Sequence, residues 1–270
     1  MKQTTKRKVE VLFRDDGTRE MEAFVAAQKF HVTKARTQVS PGSLVIGRYS
    51  VLPFYRELEL DLASQGARLI NSFQEHHWIS NFDWYEPLSE FTMRTWFEHE
   101  FFEAPEGEYV IKGRTNSRKF SWNTHMFATS KSNALRVASR LVNDSMIGEQ
   151  DLVYREYVPL KTLEVGLNGL PFTEEYRFFV LGKIPVAAGF YWSCADPAVI
   201  KEYAAPCITA WEFVNKVAAI ACEYATFYTL DVARTASGEW ILVEINDGQM
   251  AGLSECNPTA LYANLHRELT

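Results

Sequence analysis

Two apolar runs, Phe227–Ala233 and Trp240–Asn246, limit more than any other feature what this chain can fold into. Each has strand length and is rich in β-branched or aromatic residues, and Ala236-Ser237-Gly238 between them reads as a hairpin turn. Yet Asp231 interrupts the first run, and Glu244 and Asn246 interrupt the second. Strand side chains alternate, so Glu244 and Asn246 share a face with Leu242 and Trp240, while Val243 and Ile245 point into core. A loop of even length centred on Ala236-Ser237 pairs Arg234 with Glu239 and Asp231 with Leu242, which makes Asp231 the diagonal neighbour of Glu244 on one face. A carboxylate buried without a partner is costly, and a hard cation removes the cost. Oxygen ligands converging from one hairpin suit Mg2+ shared with substrate phosphates. A slip of one residue would turn the set over. The plainer alternative is a polar strand end at the surface.

Other segments carry chemistry upstream. Tyr109–Lys112 is an apolar strand ending in lysine, followed by the polar run Gly113–Lys119 with a second lysine. This can cradle phosphate, although the Walker A spacing is absent; a basic surface loop is the alternative. Tyr154-Arg155-Glu156-Tyr157-Val158-Pro159 is a strand stopped by proline, which leaves backbone donors and acceptors free to read adenine. In Glu174–Val180, Arg177 interrupts an apolar strand on the face of Glu175 and Phe179. It is either half of a structural Arg177–Glu175 pair or a guanidinium aimed at a phosphoryl or carboxylate group.

With 270 residues, nearly half of them hydrophobic, the chain can bury a sizeable core. A net charge of −6 argues against nucleic acid as a partner, and the short basic run Lys6, Arg7, Lys8 reads as a solvated terminus. No apolar stretch approaches the roughly 20 residues that span a bilayer, and no apolar region follows the N-terminal charge as in a secretory signal. The four cysteines, Cys194, Cys207, Cys222 and Cys256, lack C-x-x-C spacing and read as buried free thiols in a reducing cytoplasm, with zinc binding the alternative.

The first forty residues are the least readable, with Val9–Phe13 a candidate strand; Leu44–Ile46 as strand, Phe54–Ala67 as helix and Arg68–Ile70 as strand suggest a small parallel α/β unit. Ser72–Pro87 looks irregular, Leu88–Phe102 helical, and Ala104–Gly107 a domain boundary. His76 and His77 fall in the irregular stretch, where a structural role is favoured over substrate contact. Further on, Asn133–Asn143 and Trp211–Tyr224 have helical spacing, Tyr176–Leu181 and Ile184–Tyr191 form a hairpin, and Asn257-Pro258 opens a last helix.

Taken in order, Lys112, Lys119, Glu156–Val158, Arg177, Asp231 and Glu244-x-Asn246 resemble the ATP-grasp superfamily. Tyr176–Val180, Val243–Gln249 and Val45–Tyr49 look most like its R2K clade, found in bacteria and their phages. The resemblance runs from Leu44 onward and is closest over Tyr109–Gly252. It departs from better-known members in the loop after Lys112, which lacks their glycine-rich text.

The resemblance implies an α/β (α+β) ATP-grasp fold. A small pre-ATP-grasp unit (1–107) would precede a small lobe (108–158) and a C-terminal lobe (159–270), with nucleotide held between the lobes. It implies an ATP-dependent carboxylate–amine ligase, cytoplasmic, using Mg2+ and an acyl-phosphate intermediate on small-molecule or peptide substrates. Lys112 and Lys119 would hold phosphates, with Lys119 and Arg177 catalytic. Glu156, Tyr157 and Val158 would bind adenine through the backbone, and Glu164 the ribose. Glu244 would bridge two metals, with Asp231 and Asn246 holding one each. A kinase on the same fold and a non-catalytic nucleotide-binding module are the alternatives.

Overall fold

Residues 8–270 are described by a computed structural model, so Lys6 and Arg7 of the basic run lie outside the described residues. Lys8 is exposed and pairs with Glu10 at 2.9 Å. The first segment comprises β1 (Val9–Leu12), α1 (Glu20–Ala26), β2 (His31–Thr33), β3 (Leu44–Gly47), α2 (Tyr55–Ser64), β4 (Arg68–Leu69) and α3 (Phe73–Ser80). Its strands form a parallel sheet in the order β2-β1-β3-β4. Both faces are covered, which is why β1 and β3 are buried along their whole length. Val11 and Ile46 join one core cluster, and Leu12, Val45 and Leu69 join another with Leu58 and Leu62 of α2.

Two sequence expectations fail next. The stretch read as irregular contains α3, opened by a capping box. Ser72 Oγ accepts from Glu75 N at 3.2 Å, and Glu75 Oε2 accepts from Ser72 N at 2.6 Å. Conversely, Leu88–Phe102 is not one helix but two short turns flanking β5 (Thr95–Phe97). The aromatics explain this. Trp96 packs on Tyr109 and the adjacent Phe97 on Phe82, in different cores, and only a strand sends neighbours to opposite sides.

The small lobe adds β6 (Tyr109–Gly113), α4 (Trp122–His125), β7 (Phe127–Ala128), α5 (Lys131–Leu141) and β8 (Leu152–Glu156). Its antiparallel sheet has the order β5-β8-β6-β7, so the lobe takes an edge strand from before the Ala104–Gly107 break. Ala134, Val137, Ala138 and Leu141 of α5 pack beneath it.

The large lobe comprises β9 (Thr162–Val165), β10 (Pro171–Thr173), β11 (Glu175–Leu181), β12 (Ile184–Phe190), α6 (Pro197–Glu202), α7 (Ile208–Ala221), β13 (Phe227–Arg234), β14 (Trp240–Asp247) and α8 (Pro258–Leu269). Its main sheet is antiparallel, in the order β12-β11-β13-β14. One face packs Phe178, Leu230, Val232 and Ile245 against Val214, Val217, Ala218 and Ala221 of α7. On the other, Phe179, Leu181 and Phe227 meet α8 and the N-terminal sheet. The rest of that second face carries the polar residues described below. The architecture is the α+β arrangement expected: two sheet-based lobes behind a small parallel unit. Among the described residues, no helix is long and apolar enough to cross a membrane. Of the four cysteines expected to be buried, only Cys256 is, and Cys194 and Cys207 are exposed.

The hairpin register differs from the expected one. Arg234 pairs with Trp240, not Glu239, and Val232 pairs with Leu242. A bulge at Val243 then shifts the ladder, so Asp231 faces Glu244 directly rather than diagonally. The bulge also regroups the strand. Leu242 joins Ile245 in the core with α7, and Val243 turns to the interlobe cleft. The expected pairing was wrong, yet Asp231 and Glu244 still share a face because the bulge compensates for the odd-length loop.

Candidate active site

A cleft opens between the lobes, with Lys112, Trp122 and Tyr157 on one side and Thr173, Tyr191 and Glu244 on the other. A row of charge runs across the large-lobe sheet and enters this cleft at Glu244. Arg177 on β11 pairs with Asp231 on β13, and Asp231 with Glu244 on β14. The Arg177–Asp231 contact is bidentate, with Nε to Oδ1 at 2.8 Å and Nη2 to Oδ2 at 2.7 Å. Arg177 Nη1 also donates to the Gly252 carbonyl at 2.9 Å. The alternative pairing with Glu175 is therefore not the one made. Glu175 instead accepts from Thr173 Oγ1 at 3.1 Å. Asn246 Nδ2 donates to Asp231 Oδ2 at 3.2 Å, which leaves its own oxygen free. Lys112, from the opposite lobe, makes an ion pair with Glu244.

Burial and pairing set the charges of this row. Burial works against ionised Glu244, but the Lys112, Lys119 and Arg155 cations reverse it and hold the carboxyl below its ordinary range. Burial pulls the Lys112 ammonium down, with Glu244 opposing. Arg177 is raised: burial acts against its charge, and Asp231 outweighs burial. Burial likewise opposes Lys119, but Tyr191, Glu175 and Glu244 raise it. Glu175 is the exception. Burial, reinforced by Asp231, pushes it up to about 8.

That shift predicts a pH effect. A carboxyl raised in the folded state favours folding most below its unfolded value near 4.5, and the contribution is lost as pH rises toward about 8. Glu175→Gln is expected to melt higher than wild type at pH 8 and to lose that advantage by pH 5. Thermal melts across this range check it, and a pH-independent difference would refute the assignment.

The polar loop behaves differently from a free phosphate cradle. Gln150 Oε1 accepts from Thr115 N at 3.1 Å and Asn116 N at 3.2 Å, so these amides are already used. Gly113 makes room for it, since a Cβ there would stand 2.5 Å from that oxygen. Arg118 forks onto Asp144, with both contacts at 2.7 Å. Lys119 returns to the cleft, bonds to the Tyr191 hydroxyl, and lies 4.6 Å from that ring's centre. Lys112 and Lys119 both line the cleft.

At the hinge, the Glu156 side chain is held by Arg94, with both contacts at 2.9 Å. Tyr157 N donates to Glu108 O, whereas the Val158 amide has no hydrogen bond among the described residues. Met93, Val110, Trp122, Met126 and Leu170 supply apolar walls beside Glu156, Tyr157 and Val158, which suits a flat aromatic base. Glu164 stands apart. It is not in the cleft wall, and its carboxylate accepts from Asp196 N at 2.8 Å. Arg155 was overlooked as a site residue, although it interrupts an apolar strand as Arg177 does. It is buried, donates to Thr92 Oγ1 at 2.6 Å and to the bulged Val243 carbonyl, and burial lowers it to about 10.

The donor chemistry fits a hard divalent cation. Two carboxylates and the free amide oxygen of Asn246 share one face, without sulfur or imidazole. Among the described residues, no cluster of three His, Cys, Asp or Glu is arranged to hold a metal. A cation here would therefore depend on Asn246 and on substrate oxygens, as Mg2+ commonly does.

Two lobes closing on a hinge, paired lysines and a row of arginine and carboxylates define the class of the ATP-grasp domains. The family model for the ATP-grasp domain of R2K clade family 3 matches residues 98–265, more than half of the chain. The chain belongs to that family. No curated protein sequence matches it. Among solved structures, D-cycloserine synthetase DcsG aligns at TM-score 0.61 and 13% identity, over 97% of this chain and all of the other. The ATP-grasp ligase PsnB, solved with its minimal precursor, Mg and ADP, aligns at TM-score 0.59 and 11% identity, over 97% and 98%. D-alanine–D-alanine ligase from Bacillus anthracis, solved with ATP, aligns at 0.53 and 10%, over 90% and 86%. At such identities the likeness carries the fold and says nothing of substrate.

Proposed function

We propose that the protein is an ATP-dependent carboxylate–amine ligase that activates its carboxylate as an acyl phosphate. The observation that carries this reading is the continuous row Arg177–Asp231–Glu244–Lys112, which joins the two lobes beneath a hinge-walled cleft. Adenine would lie against the hinge and bond to the Val158 amide. Lys112 and Lys119 would hold phosphate oxygens. Asp231, Glu244 and Asn246 would hold Mg2+, which when bound supplies positive charge to the phosphates. Lys112 pairs with Glu244, which keeps both buried groups compensated. Arg177 holds Asp231 in place through two hydrogen bonds. Lys112 and Glu244 are largely buried, so charges placed there act with less screening than in water. The PsnB and D-alanine–D-alanine ligase neighbours, as named, are consistent with peptide or small-molecule substrates.

The test is ADP release from Mg-ATP on incubation with mixed amino acids and N-acetyl amino acids. A ligase releases ADP and forms an amide detectable by mass. A stable phosphoester in place of the amide identifies a kinase. Nucleotide binding without ADP release identifies a binding module.

A further inference from the structure

A second cleft opens beyond the end of β14, between the N-terminal unit and the large lobe. Ser50, His76, Thr115, Asn116, Asn246 and Asp247 line it. It adjoins the first cleft through β14, whose Glu244 faces the nucleotide side and Asn246 this one. His76, on α3, is nearly buried in its wall, with 5% of its side chain exposed.

The imidazole is held by two contacts. Its Nδ1 lies 3.0 Å from Asp247 Oδ2. Its ring stacks on Tyr55, with centres 4.0 Å apart and planes within 3°. The Tyr55 hydroxyl in turn donates to Asn71 O at 2.9 Å and accepts from Gln249 Nε2 at 2.5 Å. Asp247 is fixed as well, since its Oδ1 accepts from Asn71 Nδ2 and Gln249 N, both at 2.9 Å. A carboxylate only accepts, so Nδ1 carries the hydrogen toward Asp247, and Nε2 is the ring nitrogen left to meet a ligand. Nε2 makes no hydrogen bond among the described residues, yet it is not among the sealed, unpartnered atoms and so meets the cleft. An accessible Nε2 without a protein partner is free to bond to whatever enters the cleft. Here one nitrogen is used to aim the other.

We propose that this second cleft takes the amine substrate and that His76 Nε2 accepts the amine's proton as the amide forms. This rests on the ligase reading. The amine nitrogen supplies the electron pair of the new C–N bond. The acyl C–O bond to phosphate breaks, its electron pair leaves on phosphate, and the nitrogen's proton passes to Nε2 and then to solvent. Asp247 is the positioning residue: it sets the tautomer and stabilises the imidazolium. The chemical class taken is a primary amine on a small polar molecule or chain end, because Ser50, Thr115 and Asn116 offer neutral hydrogen-bonding groups.

The experiment uses the full chain with Mg-ATP, a mixture of N-acetyl amino acids as carboxylates, and one of two nucleophiles. Amino-acid amides need a base, whereas hydroxylamine, a far weaker base, is free amine at neutral pH and gives up its proton to water once the C–N bond forms. His76→Asn retains an N–H donor for Asp247 and lacks Nε2. ADP release with the amides is expected to fall about 100-fold, and release with hydroxylamine to stay close to wild type. Equal loss with both, or no loss with either, overturns the inference and leaves the ligase reading standing. Wild-type protein silent with both nucleophiles removes the ligase reading and the inference with it. Nitrogen NMR of the wild-type imidazole gives a check that needs neither turnover nor a variant that folds. An Nδ1–H tautomer with bare Nε2 supports the assignment, and the opposite tautomer overturns it.

Discussion

Glu244→Gln is expected to reduce Mg-ATP turnover by about 10²–10³-fold or more while leaving the fold intact. The loss exceeds one carboxylate. Lys112 is buried, burial already pulls its ammonium down, and Glu244 is the first group opposing that pull. With a neutral glutamine opposite, Lys112 sheds its proton far more readily. The variant therefore loses one anionic ligand for the cation and weakens one cation for the phosphates. The same loss of protonation spares stability, since a lysine that deprotonates leaves no uncompensated buried charge. Measured together, ADP release, its Mg2+ dependence and the thermal midpoint test this account. A variant turning over at the wild-type rate would show the carboxylate to be incidental.

The residues of that prediction were legible in the sequence, but their partners were not. An apolar strand interrupted by Asp231, or by Glu244 and Asn246, announces a polar face through alternation alone. Which residues meet across strands depends on loop length and bulges. Here an odd-length loop and the bulge at Val243 offset one another. Arg177 illustrates the same limit. Its own strand offers Glu175, but its partner is Asp231, directly across on β13. Local rules sufficed for the hairpins, the parallel α/β unit and the capped final helix. The Ser72-x-x-Glu75 signature of α3 was also local, but the aromatics around it obscured it.

Contacts between distant segments left no local trace. Asp247 fixes His76, and buried Arg48 ties the N-terminal unit to the loop after β14 through the Gly248 and Gln249 carbonyls. Arg48 itself belongs to the Val45–Tyr49 text that carried part of the family resemblance, and the structure gives that text a job. It also bonds to Glu22 at 2.7 Å, and Glu22 to the Tyr262 hydroxyl at 2.7 Å, so α1, β3 and α8 meet on one buried group. The sheet of the large lobe is thus braced from the side that also carries His76.

Arg177→Ala is expected to lower stability by about 3–5 kcal/mol, because it leaves Asp231, 1% exposed, without its countercharge. Turnover should fall too, by roughly 30- to 1000-fold in correctly folded protein, as expected for a lost charge-assisted contact of about 2–4 kcal/mol. Arg177→Lys should recover part of the stability but little of the rate, since an ammonium cannot make the two-point contact that holds Asp231. The paired substitution Arg177→Met with Asp231→Leu separates fold from chemistry. Removing both buried charges should return most of the stability, while turnover stays lost, because no carboxylate remains opposite Glu244. Lys112→Ala should differ from all of these by weakening nucleotide binding itself, its ammonium being placed for ground-state phosphate. Denaturant melts, nucleotide calorimetry and single-turnover ADP formation on the four variants distinguish the roles. If the paired variant recovers turnover along with stability, Asp231 serves only the fold, and the cation site must be built from Glu244 and Asn246 alone.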